Sequence, residues 1–149
     1  MNCIRSVLLV LLLPSLLVTI GCRSKPAGPP EPTALEGTWQ LESQETDGQM
    51  VPKAAAQMTQ LIIQGNKFST LIGGKPDGAT VTFTVDASKN PKELDRTAEY
   101  QGKKTVWKSI YELKEDTLRM AAFYPNRDER PKAFDQSGLT ILVYKRLKP

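Results

Sequence analysis

Few residues in this chain of 149 can carry chemistry, and the first fact about them is an absence: there is no histidine. That removes Ser-His and Cys-His nucleophilic catalysis, imidazole-ligated zinc and the commonest general base near neutral pH. The two cysteines are Cys3 and Cys22, and Cys22 closes the run Val18-Thr19-Ile20-Gly21-Cys22. Asp86, Glu93 and Asp95 are the one set of carboxylates conceivable for acid–base work. Their ordinary reading is as turn and solvated-face residues around Pro91, with Asp86 capping a turn through its side chain. Arg130-Pro131-Lys132-Ala133-Phe134 is the most distinctive loop motif. In one reading Arg130 meets an anion at the rim of the fold. In the preferred one it pairs with an acid, while Pro131 stiffens the loop and Phe134 plugs an end of the core. Neither an enzyme, a cofactor nor a bound metal is expected from this inventory.

The segment ahead of Cys22 has the form of an export signal. Met1 to Arg5 carries one positive charge, and Val7 to Ile20 is apolar apart from Pro14, Ser15 and Thr19. As a helix it would span about 21 Å, short of the ~30 Å hydrocarbon core, so it fits a signal peptide and not a transmembrane span. Val18 to Cys22 resembles the bacterial lipobox, in which a cysteine is acylated before cleavage on its N-terminal side; Thr19 replaces the commoner leucine. The resemblance implies a signal peptide over 1–21 and a lipid on Cys22, by palmitate or a similar acyl chain. A lone thiol in an oxidising compartment would otherwise be a liability. Arg23 stands where an aspartate would signal inner-membrane retention, which points to the outer membrane. Residues 22–34 then form a lipidated, proline-rich stalk, with four prolines between Pro26 and Thr33.

What remains, 35–149, has room for one domain of roughly 115 residues. Arg5 is the one charged residue of 1–21, so its removal takes the net charge from +4 to +3. The signs are interspersed, and the densest basic clusters are the pairs Lys103-Lys104 and Lys145-Arg146. No basic stripe of the kind nucleic acid requires is present. Short apolar runs alternate with turn residues throughout. Gln60–Gln64 and Lys67–Ile72 flank the hairpin signal Gly65-Asn66. Val81, Phe83 and Val85 alternate with Thr80, Thr82 and Thr84, the period-two pattern of a half-buried strand. Further strands are expected over Thr38–Ser43, Glu93–Tyr100, Thr105–Leu113, Thr117–Tyr124 and Leu139–Arg146. Pro52–Met58 is the one helix candidate.

Gly37-Thr38-Trp39 on the first strand, with Lys145 or Arg146 near the end of the last, looks like the signature of lipocalins and related calycin barrels. The order of motifs from Leu35-Glu36-Gly37-Thr38-Trp39 through Asp47-Gly48, Val51-Pro52, Asp86, Pro91, Asp95, Ile110–Leu113, Asp116–Leu118 and Arg130-Pro131 with Phe134 to Lys145-Arg146 is more specific. It resembles an uncharacterised lipocalin-like domain family of planctomycete bacteria, carried on lipoprotein or secreted precursors. Relatives carry a cysteine on the seventh strand, about where Met120 or Ala121 stands here, so a thiol-based role is not expected of this member. The resemblance brings no activity with it.

The expected fold is therefore all-β: a lipocalin-like eight-stranded antiparallel barrel with one short helix. Gly37, Trp39 and Arg146 would close it, with Arg130, Pro131 and Phe134 as further signature residues. Trp107 and Tyr111 share a face with Ser109 and Leu113, and with Phe83 and Met120 they are the candidate walls of a ligand cavity. They serve equally well as plain core. The expected role is a membrane-anchored envelope lipoprotein that binds a small apolar or amphipathic molecule; an enclosed apolar void above roughly 300 Å³ would support that role, and a closed, side-chain-filled barrel would end it. The alternative is a protein-interaction module around a filled barrel.

Overall fold

The computed structural model describes residues 33–78 and 80–148. The signal segment, Cys22 and the stalk up to residue 32 lie outside the described residues. A 3-10 turn, Thr33–Leu35, leads into ten strands and one helical turn. The strands are β1 (Gly37–Thr46), β2 (Gln49–Met50), β3 (Thr59–Gln64), β4 (Lys67–Ile72), β5 (Lys75–Pro76), β6 (Val81–Asp86), β7 (Lys92–Tyr100), β8 (Lys103–Lys114), β9 (Thr117–Phe123) and β10 (Leu139–Arg146). The helix α1 is Lys53–Ala56, with Pro52 as its N-cap, one position earlier than the first helical turn.

Eight of these strands run up and down in sequence order, β1-β3-β4-β6-β7-β8-β9-β10, and β10 returns to pair with β1. The barrel is closed and wholly antiparallel, as expected, and α1 is its one short helix. The two-residue strands β2 and β5 are folded-back extensions of β1 and β4 that the sequence pattern does not announce. Pairing is uneven around the barrel. β7 and β8 match from Lys92↔Tyr111 to Tyr100↔Lys103, whereas β4 and β6 share only Lys67↔Thr82 and Phe68↔Val81.

Period-two alternation directs one face of each strand inward. Trp39, Leu41, Leu61, Ile63, Phe68, Phe83, Leu94, Tyr111, Leu118, Met120 and Tyr144 form the main core, with Leu35 as a plug from the 3-10 turn. A register shift between Leu41 and Ser43 on β1 changes the parity there. Outside the barrel, the loop 124–138 lies back over β8, β9 and β10. Phe134 packs with Phe123 and Ile141 against Ile110, Ala121 and Leu139 in a second cluster, and Pro131 is buried.

Closure is built at one end. Trp39 is fully buried, and its Nε1 donates to Leu35 O at 2.9 Å. The Arg146 guanidinium lies over the indole ring at 4.0 Å from its centroid, donates through Nη1 to Glu36 O and through Nη2 to Ala34 O at 2.7 Å, and meets Asp116. The Ala34 carbonyl thus takes part in closing the barrel. Gly37 has φ +128°, and a Cβ there would stand 3.0 Å from Arg146 Nη1. Both the backbone conformation and the nearby cation demand glycine.

Gly37→Ala is expected to cost about 1–3 kcal/mol of unfolding free energy through strain and displacement of Arg146. Gly65→Ala, at φ +57° with open space around it, is expected to cost only about 1 kcal/mol. Urea denaturation of both variants measures the difference. Equal losses would mean that the Arg146 contact at Gly37 adds nothing.

Candidate ligand-binding site

The barrel is filled at the Trp39 end and hollow toward the other. At the Trp39 end Phe68 and Phe83 stack at 4.3 Å, and Ile63, Leu94, Tyr111 and Leu118 close the interior. Above this layer lies a chamber of about 230 Å³ walled by Leu61, Phe68, Thr70, Val81, Arg96, Trp107, Met120 and Tyr144. Arg96, Trp107 and Tyr144 also line a second space of about 390 Å³ at the mouth, together with Gln44, Leu142 and residues 122–126 of the β9 end and the loop beyond it. The three shared residues form the waist between chamber and mouth.

The elements position these side chains by parity. On β7, Leu94 and Arg96 point inward while Glu93 and Asp95 point outward. Arg96 stands opposite Trp107 of β8, whose inward face continues through Ser109 and Tyr111. Met120 stands opposite Tyr111 on β9, and Tyr144 pairs with both Leu118 and Leu41. Two interior polar atoms have no partner among the described residues: Arg96 Nε and Ser109 Oγ, both sealed from solvent. Among the described residues, no carboxylate lines the chamber or the mouth. Burial lowers the pKa of Arg96, an effect partly offset by the nearby Tyr144 hydroxyl. Burial likewise pushes Tyr144 up to about 12, against the pull of Arg96, so its hydroxyl stays protonated and can donate.

Of the four cavity residues read from the sequence, the structure brings two together. Trp107 and Met120 line the chamber. Phe83 and Tyr111 belong to the filled layer instead, because Phe83 stacks on Phe68 and Tyr111 is sealed between the barrel walls with Lys92 5.8 Å from its ring. Arg96 and Tyr144 were not singled out from the sequence. The signal for Arg96 was present: it shares parity with the buried Leu94, which makes it an inward cation in an apolar stripe.

The other candidate residues have structural partners. Arg130 Nη1 donates to Ser109 O at 2.6 Å, and its guanidinium meets Glu93 at 3.2 Å and Asp95 at 2.6 Å. Glu93 and Asp95 are therefore tied up by this cation on the barrel's outer wall. Asp86 accepts from the Ser88 backbone N–H and hydroxyl, closing a turn and lowering its own pKa. Phe134 lies under Arg119, whose guanidinium is 4.3 Å from the ring centroid. Among the described residues, no group of three potential metal ligands gathers, and no helix is long and apolar enough to cross a membrane.

Comparison with known proteins adds no assignment: no protein-family profile and no curated protein matches the chain.

Removing the Arg130 clamp leaves Glu93, Asp95 and the Ser109 carbonyl without their cation. Arg130→Met is expected to cost about 1–3 kcal/mol, the ion pairs being discounted for their partial exposure. Hydrogen exchange should report loosening confined to 124–138 and the adjoining β7–β8 backbone; an unchanged exchange pattern would show that the clamp is idle. The raised pKa of Tyr144 carries a separate expectation. The folded state holds the phenol proton more tightly than the unfolded chain, so the full contribution is present below pH 10. It is lost between about pH 10 and 12, up to roughly 3 kcal/mol. Tyr144→Phe should flatten that part of the stability–pH curve, and a curve identical to wild type would remove Tyr144 as its cause.

Proposed function

We propose that the protein is an exported, lipid-anchored envelope lipoprotein whose barrel binds a small apolar or amphipathic molecule. One observation carries the binding half of this reading: the interior is half filled, leaving a mostly apolar chamber that communicates with a mouth. The chamber, at about 230 Å³, is smaller than the ~300 Å³ typical of ligand sites, and the mouth above it adds about 390 Å³ that is open to solvent and partly polar. A ligand on this scale would seat its apolar part in the chamber and leave its other end at the waist or mouth. The anchoring half rests on the lipobox-like sequence at Cys22 and the proline-rich stalk, which would hold the barrel a short distance from the bilayer. Two or more acyl chains, at ~0.8 kcal/mol per buried methylene, would make that attachment stable.

A second reading, a protein-interaction module, draws support from the mouth. Met50, Met58, Ile72 and Tyr124 are all exposed at this end of the barrel, Tyr124 to 62%. A partner protein could cover such a rim. We favour the ligand reading because a filled barrel would serve an interaction module equally well, and this one keeps a chamber of about 230 Å³ beside its filled half.

Mass spectrometry of the protein purified from its native membrane tests both halves. The expected result is an N-terminus at Cys22 bearing acyl mass, with a small amphipathic molecule released on denaturation. A bare Cys22 thiol or cleavage elsewhere would overturn the anchor. Recovery of an empty barrel in stoichiometric complex with another protein would overturn the ligand reading in favour of the second.

A further inference from the structure

We infer that the ligand of this chamber is an amphipathic anion, its carboxylate or phosphate head held at the waist by Arg96 and Tyr144 and its chain lying on Leu61, Phe68 and Met120. The inference rests on the ligand-binding reading above and specifies the chemistry of the ligand.

Three observations converge on it. First, Arg96 projects from β7 into the barrel, and its Nε is sealed from solvent with no hydrogen-bond partner. A guanidinium keeps its charge even when burial lowers its pKa, so the site holds a cation with no ion-pair partner among the described residues. The acids nearest in sequence, Glu93 and Asp95, face outward and are held by Arg130, and no carboxylate lines either space. Second, the polar group that shares the waist with Arg96 is a donor: Tyr144 remains a protonated phenol and lines both spaces with it. A cation beside a neutral donor suits an anion and repels a cation. Third, the walls deeper than the waist are apolar except for Thr70. The site thus has one polar end and one apolar end, in the order an amphipathic anion needs. Charge-assisted hydrogen bonds strengthen as exposure to water falls, and at the waist Arg96 and Trp107 are part-buried and Tyr144 is buried.

The purified protein should be titrated with decanoate, decyl phosphate, decanol and decyltrimethylammonium, following tryptophan fluorescence. Trp107 lines the chamber and reports entry, whereas Trp39 is buried at the opposite end. The expected result is binding of one or both anions about tenfold or more tighter than decanol, with the cation weakest. A preference for decanoate or for decyl phosphate identifies the head as carboxylate or phosphate. Arg96→Met should abolish the advantage of the anions while leaving decanol binding within about twofold, and Arg96→Lys should retain much of it. Decanol binding as tightly as the anions, or an anion preference that survives Arg96→Met, would overturn this inference and leave the binding reading standing. Failure of all four probes to bind would overturn the binding reading, and this inference with it.

Discussion

A meander of eight strands has two free edges until its first strand meets its last, and everything inside this barrel depends on that meeting. β1 and β10 are far apart in the chain, so their pairing carries a large loop-closure cost that the strand hydrogen bonds must offset. The cost is offset at one place in particular. Arg146 stacks on Trp39, binds the carbonyls of Ala34 and Glu36, and reaches Asp116 in the β8–β9 turn. One side chain therefore ties together the entry turn, the first strand, the last strand and a hairpin. The cation–π part is worth about 0.5–2 kcal/mol; the larger consequence is geometric. With the indole fixed and hydrogen-bonded to Leu35 O, the end of the barrel is plugged by rigid groups. Water is excluded there.

A plug at one end sets what the other end can be. The interior of an eight-stranded barrel is just wide enough for side chains or one small ligand. Large inward residues from Trp39 to Phe83 and Tyr111 fill the width near the plug. Beyond them Thr70, Val81, Arg96, Trp107 and Leu142 line the space that stays open. The sparse β4–β6 pairing belongs to the same picture. Beyond Phe68 and Val81 the two strands diverge, and β4 turns to β5 instead. The chamber is the volume left where neither packing nor pairing is complete.

How much of this was legible in the sequence follows from which interactions are local. The hairpin at Gly65-Asn66 and the alternation of Val81, Phe83 and Val85 are local, and strand positions read from them agree with the structure within a few residues. The Gly37, Trp39 and Arg146 combination was legible because it is a motif with a physical reason. The helix was overestimated: Pro52–Met58 shrinks to Lys53–Ala56, because Met58 and Thr59 are already drawn into β3 and its turn. The cavity wall was only half legible. Parity tells which residues point inward, and Trp107, Tyr111, Phe83 and Met120 all do. It does not tell how far along the axis each one sits, and that depth depends on the register of every intervening strand. Arg96 escaped notice for a different reason. A charged residue in a strand is read as outward by default, and here the default fails.

That failure is coupled to the loop outside. β7 carries Glu93 and Asp95 on one face and Leu94 and Arg96 on the other. The outward acids are neutralised by Arg130, which also holds the Ser109 carbonyl of β8. Had β7 slipped by one residue, the acids would enter the barrel and Arg96 would leave it. The Arg130 clamp opposes that slip. It fixes two acidic side chains to the 124–138 loop, while Phe134 and Pro131 bury the loop against the outer wall. A loop that touches nothing in the chamber thereby acts with the β6 and β8 ladders and the burial of Leu94 in favour of the register that puts the cation inside. The inward cation and the outward acids are two sides of that one register.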